Sequence, residues 1–170
     1  MKNSIVSDAF AHHVWASRTL IAACLPLTAE QLATTVPGTY GSILETLRHV
    51  VGADRSYLSL LTDGAVSEID EDSMSLADIR DAMVAVDDGW TAFLAGDVDP
   101  DLSVVRHRDD GMDSGAPMSI RLAQAVQHGT DHRSQVSTAL TTLGVEPPEL
   151  DVWAYAWSRG LLTETPRAGS

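Results

Sequence analysis

The chain has 170 residues, 44% of them apolar, and its 24 acidic and 11 basic side chains give a formal net charge of −13. A chain of this length and composition can bury the core of one ordinary globular domain, so we expect a single domain over 1–170. The negative charge repels phosphate backbones and anionic lipid headgroups, and no apolar run reaches membrane-spanning length, so neither nucleic acids nor membranes are expected partners.

Helical periodicity recurs along the chain, whereas the alternation typical of strands does not. The pattern predicts a first helix over about 4–23 that ends before Pro26. A capping-box motif at Thr28–Gln31 predicts a short helical turn. A second capping box at Ser42–Glu45 predicts the start of another long helix, which continues to about Thr62.

The second half of the chain is predicted to contain two further long helices and one short terminal helix. In chain order we expect a loop over 64–73, a helix over 76–96, a polar connection over 97–117, a helix over 119–143 and a helix over 150–159. Residues 102–106 could form a short extended piece. A connection of this length more often has a function or is mobile than serves only to link two helices. Four long amphipathic helices predict an all-α fold, namely an antiparallel four-helix bundle with short extra helices.

Two histidines, His128 and His132, lie four residues apart in the fourth long helix. At this spacing they share one face, and two neutral imidazoles on one face are what a divalent transition ion takes from a single helix. His132 is expected to point inward, because it falls at a core position between the heptad-spaced Gly129 and Val136. The alternative is a pair of exposed or core-satisfied histidines without a metal.

A third ligand has a candidate in His49, midway along the second long helix at the border of its apolar face. Gly52 and Ala53, one turn later, would leave room beside it for an ion and its waters. Three histidines leave coordination positions open, which is typical of catalytic rather than structural metal sites.

Several polar neighbours of these histidines allow two interpretations. Glu45 could act as a ligand or base, although its place in the capping box favours a helix cap. Asp131 could accept a hydrogen bond from a ligand imidazole, or it could be solvated or paired with Arg133. Gln135 shares the histidine face and could line a pocket, and Arg133 is expected to pair with a carboxylate rather than bind substrate.

The other histidines and two tryptophans are assigned to packing or surface roles. His12 and His13 diverge by about 100° on a helix, so we expect one at the core edge and the other exposed. His107 is expected at the surface. Trp153 and Trp157 are primarily packing residues, although at a spacing of four they could line a pocket or a dimer interface.

The segments that contain the three histidines resemble the DinB-like proteins of the DinB/YfiT superfamily. Residues 42–58 are similar to the first histidine segment of that family, and 128–136 with Pro147-Pro148 are similar to its second. The segment 10–16 is similar to its aromatic opening helix, although His12-His13 stand where members often carry Tyr-Asn. The resemblance spans nearly the whole chain and is least constrained in the central connection.

The resemblance implies a four-helix bundle, often dimeric, with a divalent metal held by His49, His128 and His132. Characterised relatives include thiol-dependent transferases and a maleylpyruvate isomerase that use bacterial low-molecular-weight thiols, whereas many members have no assigned reaction. The implied cofactors are a transition metal, zinc or nickel, which imidazole suits equally, and a thiol such as mycothiol. The implied partners are a small-molecule substrate and a second copy of the chain.

Two functions are therefore compatible with the sequence. The first is a metal-dependent enzyme that activates a thiol or water, of the S-transferase, isomerase or hydrolase type, with no catalytic residue assigned. The alternative is a non-catalytic metal- or small-ligand-binding protein in stress response. Cys24 is the only cysteine, so a sulfur nucleophile is expected to be an added cofactor, and the absence of an internal disulfide fits a cytoplasmic location.

Overall fold

The computed structural model describes residues 4–165, and most of them are helical. The helices are α1 (Ile5–Cys24), α2 (Ala29–Leu32), α3 (Ile43–Leu61), α4 (Leu76–Leu94), α5 (Met118–Thr142) and α6 (Val152–Ser158). A 3-10 turn at Glu71–Ser73 precedes α4, and strands β1 (Ser103–His107) and β2 (Asp113–Pro117) precede α5. The predicted helices are confirmed, with bounds within about two residues of those expected, which is the usual uncertainty at helix ends.

Short polar side chains cap the helices where the sequence predicts it. The Ser42 hydroxyl accepts a hydrogen bond from the backbone N–H of Glu45, and the Glu45 carboxylate accepts one from the backbone N–H of Ser42 at 2.7 Å. Hydrogen bonds from the Ser42 side chain and from its backbone N–H lower the pKa of the Glu45 carboxyl group. The favoured interpretation of Glu45 as a helix cap is therefore confirmed.

The hydrophobic core lies between the four long helices. Helix α1 contacts α4 and α5, and α3 contacts the same two helices. Each long helix contributes fully buried apolar side chains, among them Leu20, Leu47, Ile79 and Leu140. This packing places the faces of α3 and α5 that carry the three histidines opposite each other.

The connection between α4 and α5 contains a β-hairpin that the sequence predicts only in part. Strand β1 covers most of the predicted extended piece and pairs antiparallel with β2, from Ser103 opposite Pro117 to His107 opposite Asp113. The second strand, Asp-Ser-Gly-Ala-Pro, carries no apolar alternation, so no local pattern indicates it. Arg121 of α5 donates to the backbone oxygens of Val104 and Ser114, which ties the hairpin to that helix.

The surface of the described residues includes exposed aromatic side chains on the last helix. Trp153 and Trp157 are 70% and 63% exposed.

In residues 4–165, no helix combines the length and the apolar character needed to cross a bilayer.

Candidate metal centre

The structure brings together the three histidines that the sequence singles out. His49 comes from α3, and His128 and His132 come from consecutive turns of α5. One ring nitrogen from each lies within 4.8 Å of the others, and the Nε2 atoms of His49 and His128 are 3.1 Å apart. Two imidazole nitrogens bound to one ion at about 2.0–2.1 Å lie roughly 3 Å apart, so this separation fits a shared metal.

Burial keeps two of these imidazoles neutral. Burial is the main cause that lowers the pKa of His128 to about 4, and the nearby His132 and His49 lower it further. Burial also lowers the pKa of His132, more than its hydrogen bond to Gln135 raises it. Neutral imidazoles with free lone pairs are the form that binds a metal, so the electrostatics of the cluster suit a cation.

Two oxygen atoms outside the cluster orient the imidazoles. His49 Nδ1 lies 3.3 Å from Glu71 Oε1, and His132 Nδ1 lies 3.2 Å from Gln135 Oε1. Because a carboxylate and an amide oxygen only accept hydrogen bonds, Nδ1 carries the proton in both rings and Nε2 keeps its lone pair. Gln135 is itself held by the backbone N–H of Tyr40, which donates to its Oε1 at 2.8 Å.

Two tyrosines border the cluster. The Tyr40 ring stacks on His49 with centroids 4.1 Å apart and planes within 8°, and it meets His132 edge-on at 5.4 Å. Tyr57 meets His128 at a centroid distance of 6.0 Å. The aromatic rings restrict the orientations that the imidazoles can take.

A cavity opens beside the cluster. It measures about 310 Å³, and its lining includes His49, His128, Tyr57 and Arg106. A neighbouring cavity of about 950 Å³ near the hairpin shares Tyr57 and Arg106 with it. Cavities in this range of sizes accommodate small molecules, and a ligand in the smaller one would contact two of the three histidines.

Glu71 is a site residue that sequence reasoning missed. The predicted space for an ion and its waters beside Gly52 is instead filled by the Glu71 side chain, because a Cβ built on Gly52 would overlap the Glu71 carboxylate. Glu71 belongs to an acidic segment that was predicted only as a loop. The one local sequence signal was Gly52 in the middle of a helix, because a glycine there can mark a place where another segment of the chain approaches the helix closely.

Two expectations for α5 need correction. Arg133, rather than His132, takes the fully buried position, and His132 lies at the border of the core. Arg133 forms no ion pair with a carboxylate among the described residues; it donates to Ser17 Oγ and to the imidazole of His13. For Asp131, the solvated alternative is met, because its side chain is exposed and accepts a hydrogen bond from Gln127.

Arg133 belongs to a second polar cluster, fully buried between the helices. His13 Nε2 lies 3.0 Å from both carboxylate oxygens of Asp54, and the Trp90 indole N–H donates to Asp54 Oδ1 at 3.2 Å. Burial lowers the pKa of Arg133 to about 10, while the charge of Asp54 opposes that change. We call His13, Asp54, Trp90 and Arg133 the core polar cluster.

The remaining histidine expectations are met in part. His13 is fully buried rather than at the core edge, and His12 is half-buried with Nε2 at 2.7 Å from the backbone oxygen of Leu150. The reason is that Asp54 and Arg133 satisfy both ring nitrogens of His13 inside the core. His107 is exposed, as expected, and contacts Asp113.

Comparison with known protein families gives one match. The model of the DinB family matches residues 1–167, a span that includes all three cluster histidines. A search of curated proteins finds no significant match.

Proposed function

The chain belongs to the DinB family, and from this premise we propose that it is a metal-dependent enzyme that holds a divalent transition ion at His49, His128 and His132. The observation that carries the proposal is the convergence of three imidazoles from two helices beside a cavity. Zinc and nickel both suit such a donor set. Three protein ligands leave positions for a substrate or cofactor.

The reaction that this site supports best is activation of a low-molecular-weight thiol or of water, as in an S-transferase, an isomerase or a hydrolase. The bound metal would supply Lewis acidity, which favours the deprotonated form of a coordinated thiol or water at neutral pH. The histidines hold the ion, Glu71 and Gln135 keep two of them in the required tautomer, and the cavity admits the small-molecule substrate.

The protein's own thiol is not available as the nucleophile. Cys24 is fully buried, and burial raises its pKa to about 11. At neutral pH its side chain is therefore a protonated thiol, the unreactive form. A sulfur nucleophile would come from an added thiol such as mycothiol.

We also propose an architecture, an oligomeric state and a location for the protein. The four long helices would form an antiparallel bundle within one domain over 1–170, and two copies would associate in the cytoplasm, as the family resemblance implies. The exposed Trp153 and Trp157 are candidates for the contact between copies. A monomeric mass by light scattering would contradict the dimer.

A second candidate function is a non-catalytic protein that binds a metal or small ligand in stress response. Both carboxylates that line the smaller cavity already have hydrogen-bond partners. Glu71 contacts His49, and Glu68 accepts from the Ser56 hydroxyl. Among the described residues, neither of these carboxylates is without a hydrogen-bond partner, which favours binding over proton transfer.

Element analysis of protein purified without a nickel-affinity resin tests the metal site. We expect about one equivalent of a transition metal in the wild type, and less than a tenth of that in His128→Ala, because two imidazoles bind far more weakly than three. His107→Ala is the matched control, since His107 is an exposed histidine outside the cluster. Wild-type protein with less than a tenth of an equivalent would contradict the proposal.

A panel of thiol cofactors with electrophilic acceptors separates enzyme from binder. Metal-dependent turnover that His49→Ala abolishes would support the enzyme. A metal-loaded protein without turnover across the panel would support the binding protein instead.

A further inference from the structure

We propose that Glu71 is a positioning residue for the metal, which orients His49, and that Gly52 is required at its position because any side chain there would displace Glu71. The inference rests on the proposed function, since it concerns a ligand of the proposed ion. It joins two residues that no sequence motif links.

The first support is the contact itself. Glu71 Oε1 lies 3.3 Å from His49 Nδ1, and both side chains are about three-quarters buried, with exposures of 29% and 26%. The carboxylate accepts a hydrogen bond from Nδ1–H, so Nε2 of His49 faces His128 with its lone pair free. A carboxylate that accepts from a ligand imidazole fixes the ring and increases its basicity.

The second support is the space that Gly52 leaves. Gly52 follows His49 by three residues on α3, and a Cβ there would overlap the Glu71 carboxylate and lie 3.0 Å from Glu71 Cβ. Gly52 has no left-handed backbone conformation, so its own geometry would accept alanine. Glycine within a helix costs about 1 kcal/mol relative to alanine, and here only the approach of Glu71 explains it.

The third support is the way the acidic loop is fastened to α3. Arg55 donates to the backbone oxygen of Ser67 at 2.9 and 2.6 Å, and Arg48 donates to the backbone oxygen of Met74 at 2.7 Å. These two contacts lie on either side of Glu71 in the loop. They hold the 3-10 turn over the face of α3 that carries His49. The position of Glu71 is therefore determined by these two contacts as well as by its own contact with His49.

Metal titration of the metal-free full chain, with Co²⁺ or Zn²⁺ competing against a chromophoric chelator, tests the inference. We expect Glu71→Ala and Gly52→Ala each to bind the ion about 10–100-fold more weakly than the wild type. Glu71→Gln should recover part of the loss, because its amide oxygen can still accept a hydrogen bond from Nδ1–H. Asp70→Ala removes an exposed carboxylate of the same loop that lines neither cavity and caps no helix, so it should stay within about twofold.

The double variant gives the sharpest outcome. If Gly52→Ala acts by expelling Glu71, the Gly52→Ala/Glu71→Ala protein should bind no more weakly than either single variant, because both changes remove one contact. Losses that multiply would contradict the link between Gly52 and Glu71. If Gly52→Ala does not fold, which circular dichroism would show, the Glu71→Ala and Glu71→Gln pair decides the orienting role.

Three further outcomes separate this inference from the proposed function. Wild-type protein that binds no ion contradicts the proposed function. Wild-type protein that binds the ion, with Glu71→Ala within twofold of it, overturns only the role of Glu71. Equal losses in Glu71→Gln and Glu71→Ala, together with a changed Co²⁺ visible spectrum, would make Glu71 a direct ligand and overturn the positioning role.

Discussion

Helices α3 and α5 contribute side chains to two polar clusters. The clusters differ in whether their histidine ring nitrogens already have protein hydrogen-bond partners. In the core polar cluster, His13 is fully buried and both of its ring nitrogens have partners, Asp54 and Arg133. In the histidine cluster, the side chains are only partly buried, and Nε2 of His49 faces another imidazole nitrogen rather than an arginine N–H. The groups of the first cluster satisfy one another, whereas the second cluster would be completed by the proposed cation.

The difference shows that the partners and the access of a histidine, rather than its presence on a helix, indicate its role. Buried polar groups contribute to stability when every donor and acceptor is paired. Imidazole nitrogens that face one another beside a cavity are poorly arranged for stability and well arranged for a ligand. The core polar cluster should therefore control folding, and the histidine cluster should control metal binding.

The largest effect that tests this comparison is expected for Asp54→Ala. The substitution leaves the Trp90 N–H and His13 Nε2 without their acceptor and removes the carboxylate nearest the buried charge of Arg133. Breaking a buried charged network costs about 3–5 kcal/mol, so the free energy of unfolding of the metal-free protein in urea should fall by this amount.

The control is His49→Ala in the same metal-free experiment, where we expect a change within about 1 kcal/mol because the side chain is only partly buried and lies outside the hydrophobic core. The comparison fails if the two substitutions cost the same. It also fails if Asp54→Ala weakens metal binding while leaving stability unchanged.

A smaller effect is expected for Gly129→Ala, on the helix face between the two clusters. A Cβ there would overlap His13 Cε1 and would lie 2.8 Å from both Arg133 Nη1 and His13 Nδ1. Overpacking of this kind costs about 1–3 kcal/mol, more than the gain of about 1 kcal/mol in helix propensity. Urea unfolding should show a net loss of stability, whereas the exposed Ser134→Ala on the same helix should change it by less than about 0.5 kcal/mol. A more stable Gly129→Ala protein would show that the core polar cluster is loosely packed.

The helices and the candidate ligands could be predicted from local patterns. Capping boxes mark the starts of α2 and α3, and the spacing of four between His128 and His132 places them on one face. His49 was inferred from its place at the border of an apolar face, and the structure places it beside the other two. Whether the three hold a metal stays a prediction.

The contacts that complete both clusters could not be predicted, because they join residues far apart in the chain. Glu71 reaches His49 from a loop whose acidic composition indicates only solvation. Arg133 takes a core position because His13 and Ser17 of α1 accept its hydrogen bonds, and neither appears in the pattern of α5. Strand β2 forms because β1 supplies its hydrogen bonds, since its own sequence has no strand pattern.

The smallest effect is expected for Tyr40→Leu, which sharpens the comparison on the histidine side. The Tyr40 ring stacks on His49 but is itself 56% exposed, so it restrains one imidazole without filling the core. A stacked aromatic pair contributes about 0.5–1.5 kcal/mol, which corresponds to roughly a two- to tenfold loss of metal affinity in the Co²⁺ titration. The same exposure means that the free energy of unfolding should change little. Tyr40→Phe keeps the ring and should bind the ion as the wild type does; a phenylalanine variant as weak as the leucine variant would assign the effect to the hydroxyl group instead. A large loss of stability without a loss of affinity would place Tyr40 with the core polar cluster, because only there should a side chain contribute more to folding than to the ligand.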